Sequence, residues 1–87
     1  MHWRPTTGLE VDFVVYARDS FTAIEVKRKR SPGSRDFNGL KAFATEYPEA
    51  RRIMLYGGEH EEMEDGIRLV PIRHGLANLE RLLFPAP

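Results

Sequence analysis

Charged residues inside two strand-like segments constrain the fold of this 87-residue chain more than any other feature. Glu10 and Asp12 interrupt the first apolar run, and Glu25 and Lys27 interrupt the second. Charged side chains are depleted from strands because they pack poorly on a half-buried pleated surface. Their regular spacing therefore indicates a structural or chemical role.

The two segments predict a β-hairpin. Residues 9–16 and 21–28 have the composition of strands, and residues 17–20 form a plausible four-residue loop with turn-forming Asp and Ser at its end. If Tyr16 pairs with Phe21, the register of the whole hairpin follows.

This register places all four charged side chains on one face. Asp12 lies opposite Glu25, and Glu10 lies opposite Lys27, because strand side chains alternate with period two. The other face is predicted to be the core face, and it carries Val11, Phe13, Val15, Thr22, Ile24 and Val26.

The predicted Asp12–Glu25 pair is electrostatically unfavourable, with Cβ atoms roughly 4.5–5.5 Å apart. A divalent cation would remove the repulsion, as would a shared proton or splaying into solvent. With Lys27 on the same face, a weakly bound Mg²⁺ or Mn²⁺ would complete a phosphodiester-cleaving set. Glu10 is either a third metal ligand or the ion-pair partner of Lys27.

An Asp followed on the next strand by Glu-x-Lys resembles the PD-(D/E)xK nuclease superfamily, which has the restriction-endonuclease-like fold. The fuller pattern is similar to the nuclease-like C-terminal domain, of unknown function, that follows the ATPase module in prokaryotic AAA-type ATPases. This resemblance covers residues 2–75 and rests on Trp3-Arg4, Gly8-x-Glu10-Val11-Asp12-Phe13, Ala23-Ile24-Glu25-Val26-Lys27, Asp36-Phe37-x-Gly39-Leu40-x-x-Phe43 and Tyr56-Gly57-Gly58.

The resemblance implies an α/β domain with a restriction-endonuclease-like mixed β-sheet and flanking helices, here lacking the family's first helix. It implies one nuclease-like domain over residues 1–87, a C-terminal fragment of a larger ATPase-linked protein. Asp12, Glu25 and Lys27 would be catalytic in metal-dependent DNA hydrolysis, with Asp12 and Glu25 as metal ligands. DNA and the ATPase module would be the partners.

Whether the domain is an enzyme is left open by the sequence. The alternative is a catalytically silent interaction or dimerisation module at the C-terminus of an AAA-type ATPase. A weaker alternative is an interaction domain of the toxin–antitoxin kind.

The charge distribution is uneven although the net charge is zero. A basic run begins at Lys27, where a phosphate backbone would lie, and an acidic run spans residues 59–65. The candidate nucleic-acid-binding residues are Arg28, Lys29, Arg30 and Arg35. The alternative is that these cations are solvated loop residues.

Periodicity predicts the remaining elements. Residues 35–47 form a helix with Ser34 as its N-cap, residues 52–56 and 67–72 form strands, and a final helix ends before Pro85. A strand, a helix and a strand across residues 21–56 predict two parallel strands joined by a crossover.

The composition is typical of a soluble globular domain, with 41% apolar and 30% charged residues. The absence of cysteine excludes disulfides and thiolate zinc sites, and no segment reaches the ~20 apolar residues of a membrane span. We therefore expect a cytoplasmic protein without membrane contact. A sheet lacking its first helix would expose an apolar patch, which predicts a homodimer that exchanges terminal segments.

Overall fold

The chain folds into one five-stranded mixed β-sheet with flanking helices, which confirms the predicted α/β class. A computed structural model describes residues 11–17 and 20–84. Along the chain the elements are β1 (Phe13–Ala17), β2 (Ser20–Lys27), a 3-10 turn (Ser34–Phe37), α1 (Asn38–Glu46), β3 (Arg51–Tyr56), β4 (Glu62–Glu64), β5 (Ile67–Pro71), α2 (Ile72–Ala77) and α3 (Leu79–Leu83).

The strand order across the sheet is β1-β2-β3-β5-β4. Strands β2, β3 and β5 are parallel to one another, and the two edge strands β1 and β4 run antiparallel to their neighbours. The 3-10 turn and α1 connect β2 to β3, as the crossover prediction required.

Strand β4 was not predicted, because its sequence Glu-Met-Glu lies in the acidic run and has low strand propensity. The turn that follows forms it. Asp65 and Gly66 have φ values of 51° and 78°, and two consecutive residues with positive φ produce the type I′ turn that closes tight hairpins. The Asp65-Gly66 dipeptide was thus the sequence signal for this hairpin.

The predicted hairpin register is confirmed, because Tyr16 pairs with Phe21. The ladder continues one pair further than predicted, since Ala17 pairs with Ser20. The expected four-residue loop at 17–20 was therefore too long.

The sheet is covered on both sides, so the face that carries Glu25 is buried as well as the side of Ile24, which was predicted to be the core face. Parallel strands joined by crossovers are normally buried on both faces. The α1 side contains the buried residues Val11, Ala23, Phe37, Leu40, Phe43, Ala50, Met54, Tyr56, Ile67 and Leu69. The side of α2 and α3 contains Ile24, Ile53, Leu55, Val70 and Leu82.

The first strand departs most from the predicted alternation. Phe13, predicted to be a core residue, is 49% exposed, whereas Val11 is fully buried in the same cluster as Ala23. The chain bends at Asp12, so Val11 does not follow the period of β1.

Two helices also differ from their predictions. The segment 35–47 divides into the 3-10 turn and α1, and the N-cap position is Gly33, not Ser34. The last helix is interrupted at Asn78. Within residues 11–17 and 20–84, no helix is long and apolar enough to cross a membrane.

Candidate functional site

The candidate site lies at the carboxyl-terminal ends of the parallel strands, which we call the sheet edge. Lys27 of β2 pairs with Tyr56 of β3, which pairs with Pro71 of β5, so three strands finish at the same level. Antiparallel β1 begins at this edge and brings Asp12 to it. Ligands of open α/β sheets bind outside the carboxyl ends of the strands.

Glu25 is buried, with only 7% of its surface exposed. It shares the α1 side of β2 with Ala23, so the face predicted to carry the charged residues lies on the α1 side of the sheet. Its Oε1 atom lies 3.8 Å from the ammonium nitrogen of Lys27. The Glu-x-Lys pair therefore combines a buried carboxylate with a partly exposed ammonium at the end of a central strand.

Asp12 reaches β2 through its side chain. The backbone N–H of Val26 donates a hydrogen bond to Oδ2 of Asp12 at 2.8 Å. Val26 lies between Glu25 and Lys27, so the structure brings all three predicted catalytic residues to one place. The direct ladder pairing of Asp12 with Glu25 is not formed, because the continuous β1 ladder stops at the Phe13–Ile24 pair and the chain bends at Asp12, before a single bridge at Val11.

The fourth predicted residue of this face, Glu10, lies outside the described residues.

Asp36 is a site residue that sequence reasoning missed. Its carboxylate accepts hydrogen bonds from the backbone N–H of Gly33 at 2.8 Å and from the ammonium of Lys29 at 3.1 and 3.2 Å, and it lies 3.9 Å from Nζ of Lys27. The Gly33 hydrogen bond, followed by the cationic neighbours, holds the pKa of Asp36 below its ordinary value of 3.8. An acidic residue three positions after the N-cap was the available signal.

Two of the predicted nucleic-acid-binding cations form ion pairs. Lys29 pairs with Asp36, and Arg30 lies 3.3 Å from Glu59. Arg28 and Arg35 are exposed. The backbone N–H of Gly57 donates to the carbonyl of Lys29 at 2.9 Å, which fixes the start of this basic segment against the end of β3.

The acidic run is dispersed among separate partners. Glu61 pairs with Arg68 at 2.6 Å, and Asp65 pairs with Lys41 at 3.1 Å. The Tyr56 hydroxyl hydrogen-bonds the His60 carbonyl and Oε2 of Glu62, and burial, followed by the Glu62 carboxylate, raises the pKa of Tyr56. Among residues 11–17 and 20–84, no three His, Asp or Glu side chains form a metal-binding group.

Residues 1–74 match the protein family described as Domain of unknown function (DUF4143). The chain belongs to this family. No curated protein and no solved structure matches it. All the residues brought together at the sheet edge fall within the part of the chain that the DUF4143 family covers.

Within this DUF4143 domain, Asp12 and Glu25 have the chemistry that Mg²⁺ requires. Magnesium is held by one or two carboxylates, with water and substrate phosphate completing its coordination. Of the two oxygens of Asp12, Oδ2 accepts the hydrogen bond from Val26, and no other residue of 11–17 and 20–84 donates to Oδ1.

Proposed function

We propose that this domain hydrolyses DNA phosphodiester bonds with the help of Mg²⁺ or Mn²⁺, as a PD-(D/E)xK-type domain of an ATPase-linked protein. The observation that supports this proposal most is the Asp12–Val26 hydrogen bond. It joins the predicted aspartate to the Glu-x-Lys segment at the edge where α/β sheets bind ligands.

The proposal assigns a role to each group. Asp12 and Glu25 hold the cation, with Glu10 as a further candidate ligand. A bound Mg²⁺ would polarise the phosphate and lower the pKa of a bound water. Lys27 stabilises the negative charge that develops on the phosphate, and Arg28, Lys29, Arg30 and Arg35 contact the DNA backbone.

A Mn²⁺ titration followed by NMR tests the metal site. Paramagnetic Mn²⁺ should broaden the amide signals of residues 11–12 and 24–27 first, and Asp12→Asn should abolish that selectivity. Asp65→Asn is the matched control, since Asp65 pairs with Lys41 away from this edge and should leave the broadening unchanged. If Asp12→Asn and Glu25→Gln both leave the broadening pattern intact, the metal site is wrong.

A second candidate function, the silent interaction module, is favoured by the surface of β1. This strand lies at the edge of the described sheet, has the uncharged sequence Phe-Val-Val-Tyr-Ala, and exposes 49% of Phe13 and 80% of Tyr16. Edge strands without charges or proline are templates for pairing with another chain. The partner would be the ATPase module or a second copy of this chain.

A further inference from the structure

The carboxylate of Asp36 occupies a pocket of donors that suits a phosphate oxygen. Two ammonium groups and one backbone N–H converge on it, from Lys27, Lys29 and Gly33. Lysine ammonium groups and backbone N–H groups are donors that proteins use to bind the phosphates of nucleic acids. We call this set, the Nζ atoms of Lys27 and Lys29 with the Gly33 N–H, the anion cradle.

The cradle is accessible although its present occupant is nearly buried. The side chains of Lys29 and Lys27 are 64% and 35% exposed, whereas that of Asp36 is 9% exposed. A phosphate approaching from solvent would therefore meet Lys29 first and Lys27 next. Lys27 is also the residue to which the proposed function assigns the scissile phosphate, so the cradle adjoins the candidate reaction centre.

We propose that the anion cradle is a binding site for a nucleic-acid phosphate, and that Asp36 closes it by occupying it with its own carboxylate. This inference rests on the proposed function for its ligand class, but its test does not require cleavage. Since Asp36 neutralises Lys29 in the resting domain, DNA must displace this carboxylate before Lys29 can contact the backbone.

Asp36→Asn separates the charge of Asp36 from its structural role. The asparagine amide oxygen can still accept the Gly33 N–H, so the start of the 3-10 turn keeps its capping contact. The lysine ammonium groups lose their anionic partner. Binding of a fluorescent 20-base-pair duplex is measured by anisotropy in EDTA, over a series of salt concentrations.

We expect Asp36→Asn to tighten duplex binding by about three- to tenfold at low salt, and to steepen the log K against log salt slope by about 1 to 2. The matched control is Glu59→Gln, which also removes one negative charge from an ion pair of the basic segment, but at Arg30 and outside the cradle. An equal gain from both variants, or no gain from Asp36→Asn, would overturn the proposal.

A second pair of variants keeps the test decisive if Asp36→Asn does not fold. In the wild-type background, Lys29→Met should weaken duplex binding, but by less than Arg28→Met does, because displacing Asp36 offsets part of the phosphate contact that Lys29 makes. No loss from Lys29→Met would show that Lys29 does not bind the phosphate, and would overturn the proposal. A larger loss from Lys29→Met than from Arg28→Met contradicts a closed cradle.

A separate experiment distinguishes a nucleic-acid phosphate from free inorganic phosphate as the ligand of the cradle. Inorganic phosphate added to Asp36→Asn should shift the Gly33 amide signal and compete with the duplex only at millimolar concentration. Competition at micromolar concentration would assign the cradle to free phosphate and overturn the nucleic-acid assignment. If Asp36→Asn binds the duplex more tightly but the domain shows no Mg²⁺-dependent cleavage, the cradle proposal is supported and the proposed function is contradicted.

Discussion

At the scale of single residues, the ammonium group of Lys27 lies between two carboxylates, and these partly neutralise its charge. The Nζ atom of Lys27 lies 3.8 Å from Oε1 of Glu25, which precedes it in the sequence, and 3.9 Å from Oδ1 of Asp36, which follows it. A lysine held by two anions has a fixed position but a compensated charge. Under the proposed function, its charge would become available to a phosphate once a metal engaged Glu25 or Asp36 moved away.

The ionisation of Asp36 should make the stability of the domain depend on pH. Because hydrogen bonding to Gly33 and Lys29 lowers its pKa in the folded state, Asp36 stabilises the fold fully above its unfolded pKa of about 4. That stabilisation is lost as the pH falls through the folded pKa. The unfolding temperatures of wild type and Asp36→Asn should differ at pH 7, and the difference should begin to shrink near pH 4 and vanish as the pH falls through the folded pKa.

The Glu59→Gln variant is the control for this pH series, since Glu59 is exposed and pairs with Arg30. Its unfolding temperature should follow that of the wild type throughout. A gap between wild type and Asp36→Asn that widens on acidification would contradict the assigned direction of the pKa change.

At the scale of elements, the segment after β2 packs closely against the end of β3. A Cβ on Gly57 would lie 2.4 Å from the backbone carbonyl oxygen of Arg28, and the Gly57 N–H donates to Lys29. This contact holds the basic segment against the end of β3. The segment is positioned by backbone packing as well as by its ion pairs.

Gly57→Ala should therefore destabilise the domain by about 1–3 kcal/mol, because backbone atoms must shift to admit the methyl group. Gly33→Ala is the matched control, since the nearest atom to its Cβ would be Oδ2 of Asp36 at 4.0 Å and its φ is −92°. Urea denaturation compares the two variants. Equal stability of Gly57→Ala and wild type would show that the two segments are not packed as described.

The sequence predicted the elements better than the environment of the site. Local patterns predicted the Tyr16–Phe21 register and the parallel pairing of β2 and β3. They also predicted that the sheet contains both parallel and antiparallel strands. They did not predict the burial of Glu25, because a period-two pattern shows which residues share a face but not whether a helix covers it. The capping spacing signals the contact of Asp36 with Gly33, but the contacts of Asp36 with Lys27 and Lys29 depend on how the turn before α1 folds back onto the end of β2, which no local spacing encodes.

At the scale of the whole molecule, the apolar edge strand β1 predicts self-association. Phe13→Lys places a charge on this edge, which opposes pairing with a second chain. We expect wild type to sediment as a dimer at micromolar concentration and Phe13→Lys to sediment as a monomer. Leu76→Lys, at an exposed position of α2, is the control and should remain dimeric. A monomeric wild type would contradict association through this edge.

Cleavage of DNA tests the central claim most directly, namely that Asp12, Glu25 and Lys27 form a metal-dependent phosphodiesterase site. Supercoiled plasmid is incubated with purified wild type, Lys27→Met and Lys41→Met, each with Mg²⁺ or Mn²⁺ and again with EDTA. Lys41 lies on α1 and pairs with Asp65 of the β4–β5 turn, so Lys41→Met controls for the loss of a lysine elsewhere. We predict metal-dependent nicking by wild type and Lys41→Met, and a loss of about 10²–10³ in rate for Lys27→Met. A wild type that cuts no supercoiled, single-stranded or branched DNA, or a Lys27→Met variant that cuts at the wild-type rate, would contradict the claim.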